Sequence, residues 1–365
     1  MSPSHSAARR NPPVRVALVV LACFALPAAA VPLAAQAGGA VSGHVRDADG
    51  AGVPLALVVL APADSTVPRR SSLTDRAGSF RFVDVPPGSY RLLLERIGYE
   101  RQSSAALQVQ AGATVTHEFA GRARAVTMAP IVARVAASGD RDGTCFTVGQ
   151  LWRDSALATV WNEATKGVET RRAFDRQYPY ALELRQSVTA TPVRGTRLVR
   201  DSSFRVLVND PARAEEDEQA RREQRHRQGF GYTFGNVLTL DLPDEKELLD
   251  ADFLTRHCLE AGVEEQDGAW QVRFRPVKPE RGRIDVVGTI RLDTATFQVR
   301  SITYQYVRGR NVFIMAAVTY GDVPFFPGTE LRVPLRGEFH GRPIGPVGAS
   351  IRTVDGTITF SNYVT

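Results

Sequence analysis

Between Val41 and Phe119, apolar residues recur at every second position in short runs: Val41/Gly43/Val45, Leu57–Leu60, Phe80/Phe82, Tyr90/Leu92/Leu94, Leu107/Val109 and Val115/His117/Phe119. That is the period of half-buried β-strands. Turn clusters at Asp47 to Gly50, Asp75 to Gly78, Pro86 to Gly88 and Gln110 to Gly112 separate the runs, each offering a glycine for the positive φ of a tight turn. No segment here has helical spacing over two turns, and about seven strands in so short a stretch predict a two-sheet sandwich.

The pattern changes after Gly121. Residues 121–143, rich in Ala, Arg and Gly, read as a linker. Val148, Leu151, Trp152, Leu157, Ala158, Trp161 and Ala164 then put an apolar stripe on a helix expected from about Thr147 to Arg172, with Gly167 weakening its last turns. Strand patterns dominate the remainder: Tyr180/Leu182/Leu184, Phe204/Val206/Val208, Val237–Leu242, Trp270/Val272/Phe274, Ile284/Val286/Ile290/Leu292, Phe297 to Val307, Val312 to Tyr320, Leu331/Val333/Leu335 and Ile351 to Phe360. Arg273, Asp285, Arg291, Arg332, Arg336 and Glu338 occupy intervening positions, so one face is dry and the other wet, as in an antiparallel sheet with one solvated side. A charge run at 211–228 places Glu215 to Glu218 before Arg221, Arg222, Arg225 and Arg227. Its i, i+4 pairs predict an exposed helical excursion between strands.

Residues 43–99 carry a specific signature: Gly43, Val45, Asp47, Gly50, Thr74, Asp75, Gly78, Phe80, Phe82, Pro86, Gly88, Tyr90, Leu92, Gly98 and Tyr99 match, in order, a transthyretin-like module. The segment resembles the carboxypeptidase regulatory-like domain, a non-catalytic accessory classed with carbohydrate-binding-like folds. The resemblance implies that Asp47, Asp75 and Tyr90 serve turns and core. The later stretch from Leu248 to Gly262 resembles the C-terminal part of secreted proteins that carry the same domain, and the order of elements resembles lipoprotein-carrier half-barrels. The expected fold class is mainly β: an Ig-like, transthyretin-like sandwich at 38–120, followed at 144–365 by an α+β domain in which one long helix packs on a curved antiparallel sheet.

Composition bounds the function. The chain has 365 residues, 43% hydrophobic and 23% charged, too balanced for wholesale disorder and too short for a receptor barrel beside the first domain. Its net charge of +6 includes Arg9, Arg10 and Arg15 from a stretch without acids. Those arginines, the apolar run Val16 to Leu26 and the small residues to Ala37 follow the order of a secretory signal. Cleavage is expected after Ala37, with Ala30 and Ala35 as other positions, and the segment is too short to leave a transmembrane span in the mature chain. The scattered arginines of the remainder argue against nucleic acid as a partner.

Local chemistry is sparse. His257-Cys258-Leu259-Glu260 has the spacing of a zinc-protease motif, with His340 as a distant third ligand, but its flanking residues do not match that motif. No nucleophile elbow, P-loop or dinucleotide fingerprint is present, so no catalytic residue, metal or cofactor is assigned. Cys145 and Cys258 remain as an even pair once Cys23 leaves with the signal, and in an oxidising compartment they are expected to bond. The sequence therefore predicts a non-enzymatic exported envelope protein, periplasmic or at the outer surface, that binds a glycan or an envelope protein. The alternatives are a carrier of lipid in a concave sheet and, as a minor one, a zinc hydrolase.

Overall fold

The computed structural model describes residues 38–124, 145–208, 214–235, 237–260, 263–326 and 329–364. The expected signal, its Ala37 cleavage point and nearly all of the expected linker lie outside the described residues. Eight strands form the first domain: β1 (Gly39–Arg46), β2 (Leu57–Pro62), β3 (Arg70–Leu73), β4 (Ser79–Val85), β5 (Gly88–Glu95), β6 (Gln102–Ser103), β7 (Leu107–Val109) and β8 (Thr114–Ala120). One sheet has the order β4-β1-β8, with β1 parallel to β8; the other has β3-β2-β5-β6, with β7 also on β5. Alternation predicts what is found between them: Val41, Val45, Val58, Leu60, Phe80, Phe82, Leu92 and Leu94 form a buried cluster. The signature residues serve this frame. Asp47 and Asp75 each accept backbone N–H bonds in their own turns, at 2.8 to 3.0 Å. The Tyr90 hydroxyl donates to the Pro86 carbonyl oxygen at 2.8 Å. Gly43 lies so close to β8 that a Cβ there would fall 1.7 Å from the His117 carbonyl oxygen.

The second region opens with β9 (Cys145–Phe146), a short 3-10 turn at Val148–Arg153 and α1 (Ser155–Gln177). The helix thus starts and ends later than its apolar stripe suggests. Asp154 breaks the spiral, its side chain accepting from the Leu157 N–H at 3.0 Å as an N-cap. Pro179 then ends it, because the residue before a proline is driven out of helical conformation. After α1 come β10 (Tyr180–Pro192), β11 (Leu198–Val208), α2 (Ala214–Gln228), β12 (Gly231–Phe234), β13 (Val237–Leu240), α3 (Glu245–Leu248), β14 (His257–Glu260), β15 (Glu264–Gln266), β16 (Ala269–Pro276), β17 (Ile284–Asp293), β18 (Val299–Arg308), β19 (Asn311–Phe326), β20 (Thr329–Gly341), α4 (Gly345–Ser350) and β21 (Ile351–Val364). The large sheet has eleven strands along β11-β10-β21-β20-β19-β18-β17-β16-β14-β9, with β15 on β16. From β16 to β21 it is a meander. β10 and β11 join it through β21, and Ala181 is a register partner of Val364. Among the described residues the apolar segment 237–242 does not enter this sheet; β13 pairs with β12 as a separate hairpin.

Helix α1 lies on the dry face. Leu157, Val160, Trp161, Ala164 and Val168 join Leu248, Leu254, Ile290, Ile302, Tyr304 and Tyr306 in the main core. The opposite side of the helix meets the sandwich. Lys166 and Glu163, both nearly buried, pair at 2.7 Å; Lys166 donates to the Tyr99 carbonyl oxygen at 2.9 Å, and Glu163 accepts from the Gly98 N–H at 3.1 Å. Gly167 sits under Ile97, whose Cδ1 would be 2.9 Å from any added Cβ. Its missing side chain makes room for the sandwich without breaking the helix. Leu57 and Leu73 of the sandwich share a further cluster with Phe174, Tyr180, Leu331 and Val333. At the helix end, buried Arg171 bonds Asp175 at 2.9 Å and the Arg332 carbonyl oxygen at 2.9 Å, while Lys246 bonds the other Asp175 oxygen at 3.0 Å. Burial opposes the charge of Asp175, but Arg171 and Lys246 outweigh it and hold the carboxyl below its ordinary range.

Candidate functional site: the open face of the large sheet

Antiparallel register lines up side chains on the face turned away from α1. One row runs Arg273, Thr289, Thr303, Ala317, Glu338, Thr357, Ser187 and Asp201, each the direct partner of the next. A second row beside it runs Val287, Gln305, Met315, His340, Asp355, Thr189 and Val199. The members of both rows from β16 to β10, with Glu260 of β14 at one end, line a cleft of about 830 Å³. Seven strands ~4.8 Å apart carry it over roughly 29 Å, with hydroxyl, amide and charged groups at that interval. Ala317, the smallest side chain of the first row, keeps its floor low at the centre.

The charges of the cleft are matched within it. Glu260 faces Arg273 at 3.2 Å and Arg275 at 3.5 Å, Arg336 bonds Glu338 at 2.6 Å, and His340 bonds Asp355. At the β10 side Glu183 accepts from Arg185, Ser203 and Asn362, and these hydrogen bonds pull its carboxyl down to about 2. The face therefore offers donors and acceptors without a net excess of either charge.

Sequence-derived candidates fall apart or together as follows. His257 and Glu260 do not converge, because residues three apart on a strand point to opposite faces. His257 is buried, stacked on Phe253 with ring centroids 4.0 Å apart and facing Asp285 at 3.8 Å, whereas Glu260 lines the open cleft. His340 pairs with Asp355 in that cleft. Burial holds the His257 imidazole down to about 3, with Arg283 and Arg256 pushing the same way and the Phe253 carbonyl opposing. Among the described residues no three His, Cys, Asp or Glu side chains gather as a metal site. Asp285, expected on the wet face, is buried beside Arg283 at 3.0 Å, and Arg283 also reaches the His226 carbonyl oxygen at 2.8 Å, so the end of α2 covers it. Cys145 and Cys258 are joined as a disulfide with Cα atoms 5.4 Å apart, tying β9 to β14 across 113 residues of chain. Arg273 and Glu338 were visible as wet positions; Ser187, Thr289, Thr303 and Thr357 were not, since alternation marks a face but not which strands stand side by side.

Comparison with known proteins bears mainly on the first domain. Residues 40–121 match the family model of the carboxypeptidase regulatory-like domain, and the chain carries that domain as the sandwich described above. Among curated proteins no sequence matches the chain. Among solved structures, a minor pilin of Streptococcus agalactiae is 16% identical over 26% of this chain, with a TM-score of 0.22; the chain spans 48% of that pilin. A Pseudomonas aeruginosa protein with a suggested carbohydrate-binding role is 18% identical over 23% of this chain and 90% of its own, with a TM-score of 0.19. A Bacteroides uniformis protein with the same suggested role is 9% identical over 78% of this chain and 99% of its own, with a TM-score of 0.22. No helix among the described residues is long and apolar enough to cross a membrane.

Proposed function

We propose that this protein is an exported, non-enzymatic binding protein of the bacterial envelope that holds a neutral, hydroxyl-rich ligand, a glycan, along the open face of its large sheet. The observation that carries this reading is the cleft itself: about 830 Å³, lined by Thr, Ser and Gln side chains, with its carboxylates and cations matched to one another. Such a lining suits hydrogen bonding to an uncharged polyol better than a phosphate or a metal ion, each of which favours an excess of one charge. The disulfide fits an oxidising compartment, and cleavage after Ala37 would deliver the chain there. The sandwich serves as an accessory that braces α1 against the sheet.

The lipid-carrier alternative needs the apolar face, and that face is occupied by the chain itself: Leu157, Val160, Leu248 and Leu254 are at most 1% exposed against it. A glycan array and a peptidoglycan pull-down test the proposal. Binding is expected to either, and to be lost in Thr303→Trp and Ala317→Trp chains, which fill the cleft while leaving the core untouched. Absence of binding to both, or binding unaffected by the two substitutions, overturns it. Native mass spectrometry showing co-purified lipid would favour the carrier.

A further inference from the structure

Strand β11 ends the large sheet, and among the described residues nothing pairs with its outer edge. It is an unusual edge. Eleven residues run in unbroken register with β10, without a bulge or a proline, two of the devices that normally blunt such a strand, and its only charges are Arg200, Asp201 and Arg205. Four large apolar side chains lie open along it: Leu198 (59% exposed), Val199 (60%), Phe204 (48%) and Leu207 (59%).

We propose that this edge is a homodimer interface, in which β11 of one protomer pairs antiparallel with β11 of a second copy about a two-fold axis through Ser203. The strand's own sequence sets the register. For both copies to keep their apolar faces on the same side, even-numbered residues must meet even ones and odd must meet odd, because side chains alternate with a period of two. Of the registers that satisfy this, only the one centred on Ser203 sets Asp201 opposite Arg205, and the two-fold makes that pair twice. The same register sets Val199 against Leu207 and Leu198 against Val208, with Phe204 beside Ser202 and Arg200 beside Val206. A shift by one residue in either direction turns the faces over, and in one direction it also brings Arg200 against Arg205 twice. Asp201 and Arg205 have no ion-pair partner within the chain among the described residues, so the charges are available for a neighbour. Opposite-charge and apolar cross-strand pairs each favour pairing, and like charges placed directly opposite oppose it.

The test is sedimentation velocity on the full chain over a range of concentrations. A dimer is expected for the native chain. Asp201→Arg and Arg205→Asp should each weaken it roughly tenfold or more, since each replaces two attractive pairs by two repulsive ones. The double variant Asp201→Arg/Arg205→Asp should restore it, which a folding defect would not do. Ser203→Cys, on the axis, should crosslink the two copies on oxidation, whereas Val206→Cys should not. A native chain that stays monomeric throughout, a dimer indifferent to Asp201→Arg, or a charge-swapped chain that fails to dimerise while its circular dichroism is native overturns the proposal. So does capture of a different protein on this edge with the chain itself monomeric.

Discussion

Replacing Lys166 by Met is expected to be among the most damaging single changes in the protein, although it removes a single positive charge and leaves a side chain of similar length. Lys166 and Glu163 are 8% and 9% exposed, and their contacts form a closed set: ammonium to carboxylate at 2.7 Å, ammonium to the Tyr99 carbonyl oxygen, Gly98 N–H to the carboxylate. Removing the lysine leaves a buried carboxylate with a single backbone donor and a carbonyl oxygen without one. Breaking a buried pair from one side costs about 3–5 kcal/mol. That is a large part of the ~5–15 kcal/mol that holds a typical domain folded. Urea unfolding followed by tryptophan fluorescence would measure the loss. Glu163→Gln/Lys166→Met should recover at least half of it, because a neutral amide can still accept from Gly98 without a buried charge. A loss below about 1 kcal/mol in the single variant, or a double variant no more stable than the single, would show that the pair does not join sandwich to helix in the manner described.

Other positions yield separate expectations. His257 is held down to about 3 mainly by burial, so below its ordinary range the unfolded chain takes up a proton that the folded chain refuses. Stability should therefore fall with pH by ~1.4 kcal/mol per unit from about 6.5 towards 3, and His257→Gln should flatten that slope in pH-dependent denaturation; an unchanged slope refutes the assignment. The disulfide closes 113 residues of chain. In the chain-entropy model Cys145→Ser/Cys258→Ser should lose about 5 kcal/mol, and protein cleaved after Ala37, denatured without reductant, should take up no thiol reagent. Gly43→Ala forces a Cβ into the His117 carbonyl and should cost at least ~1–3 kcal/mol, read as a lowered midpoint of thermal unfolding.

The sandwich was legible because its signature residues are turn formers and alternating core residues, which act locally. Helix α1 was legible from its apolar stripe, but its limits were set by Asp154 and Pro179, and its glycine by Ile97, a residue some seventy positions away in another domain. The strands of the large sheet could be found one by one from alternation. Their neighbours could not: nothing in Ser187 or Thr357 announces that β10 lies against β21. The candidate cleft is made of such neighbour relations, so only charged or titratable members stood out beforehand, Arg273 and Glu338 as wet positions and Glu260 and His340 as ligands of a zinc site that does not form. The zinc spacing failed for an equally plain reason, since His257 and Glu260 lie on a strand and not on a helix.

The place of β21 between β10 and β20 also sets a timetable for making the protein. Residues 180–208 reach the exit of the ribosome, and later of any export channel, long before residues 351–364 do. In the interval the β10–β11 hairpin has two open edges and no cover for Leu182 and Leu184. Closing a loop of that length is slow even when its entropic cost is modest. A chain delivered in that order is expected to gain from a holding chaperone along its route, and depletion of such a helper should show itself as aggregated full-length protein before any mature fold is lost.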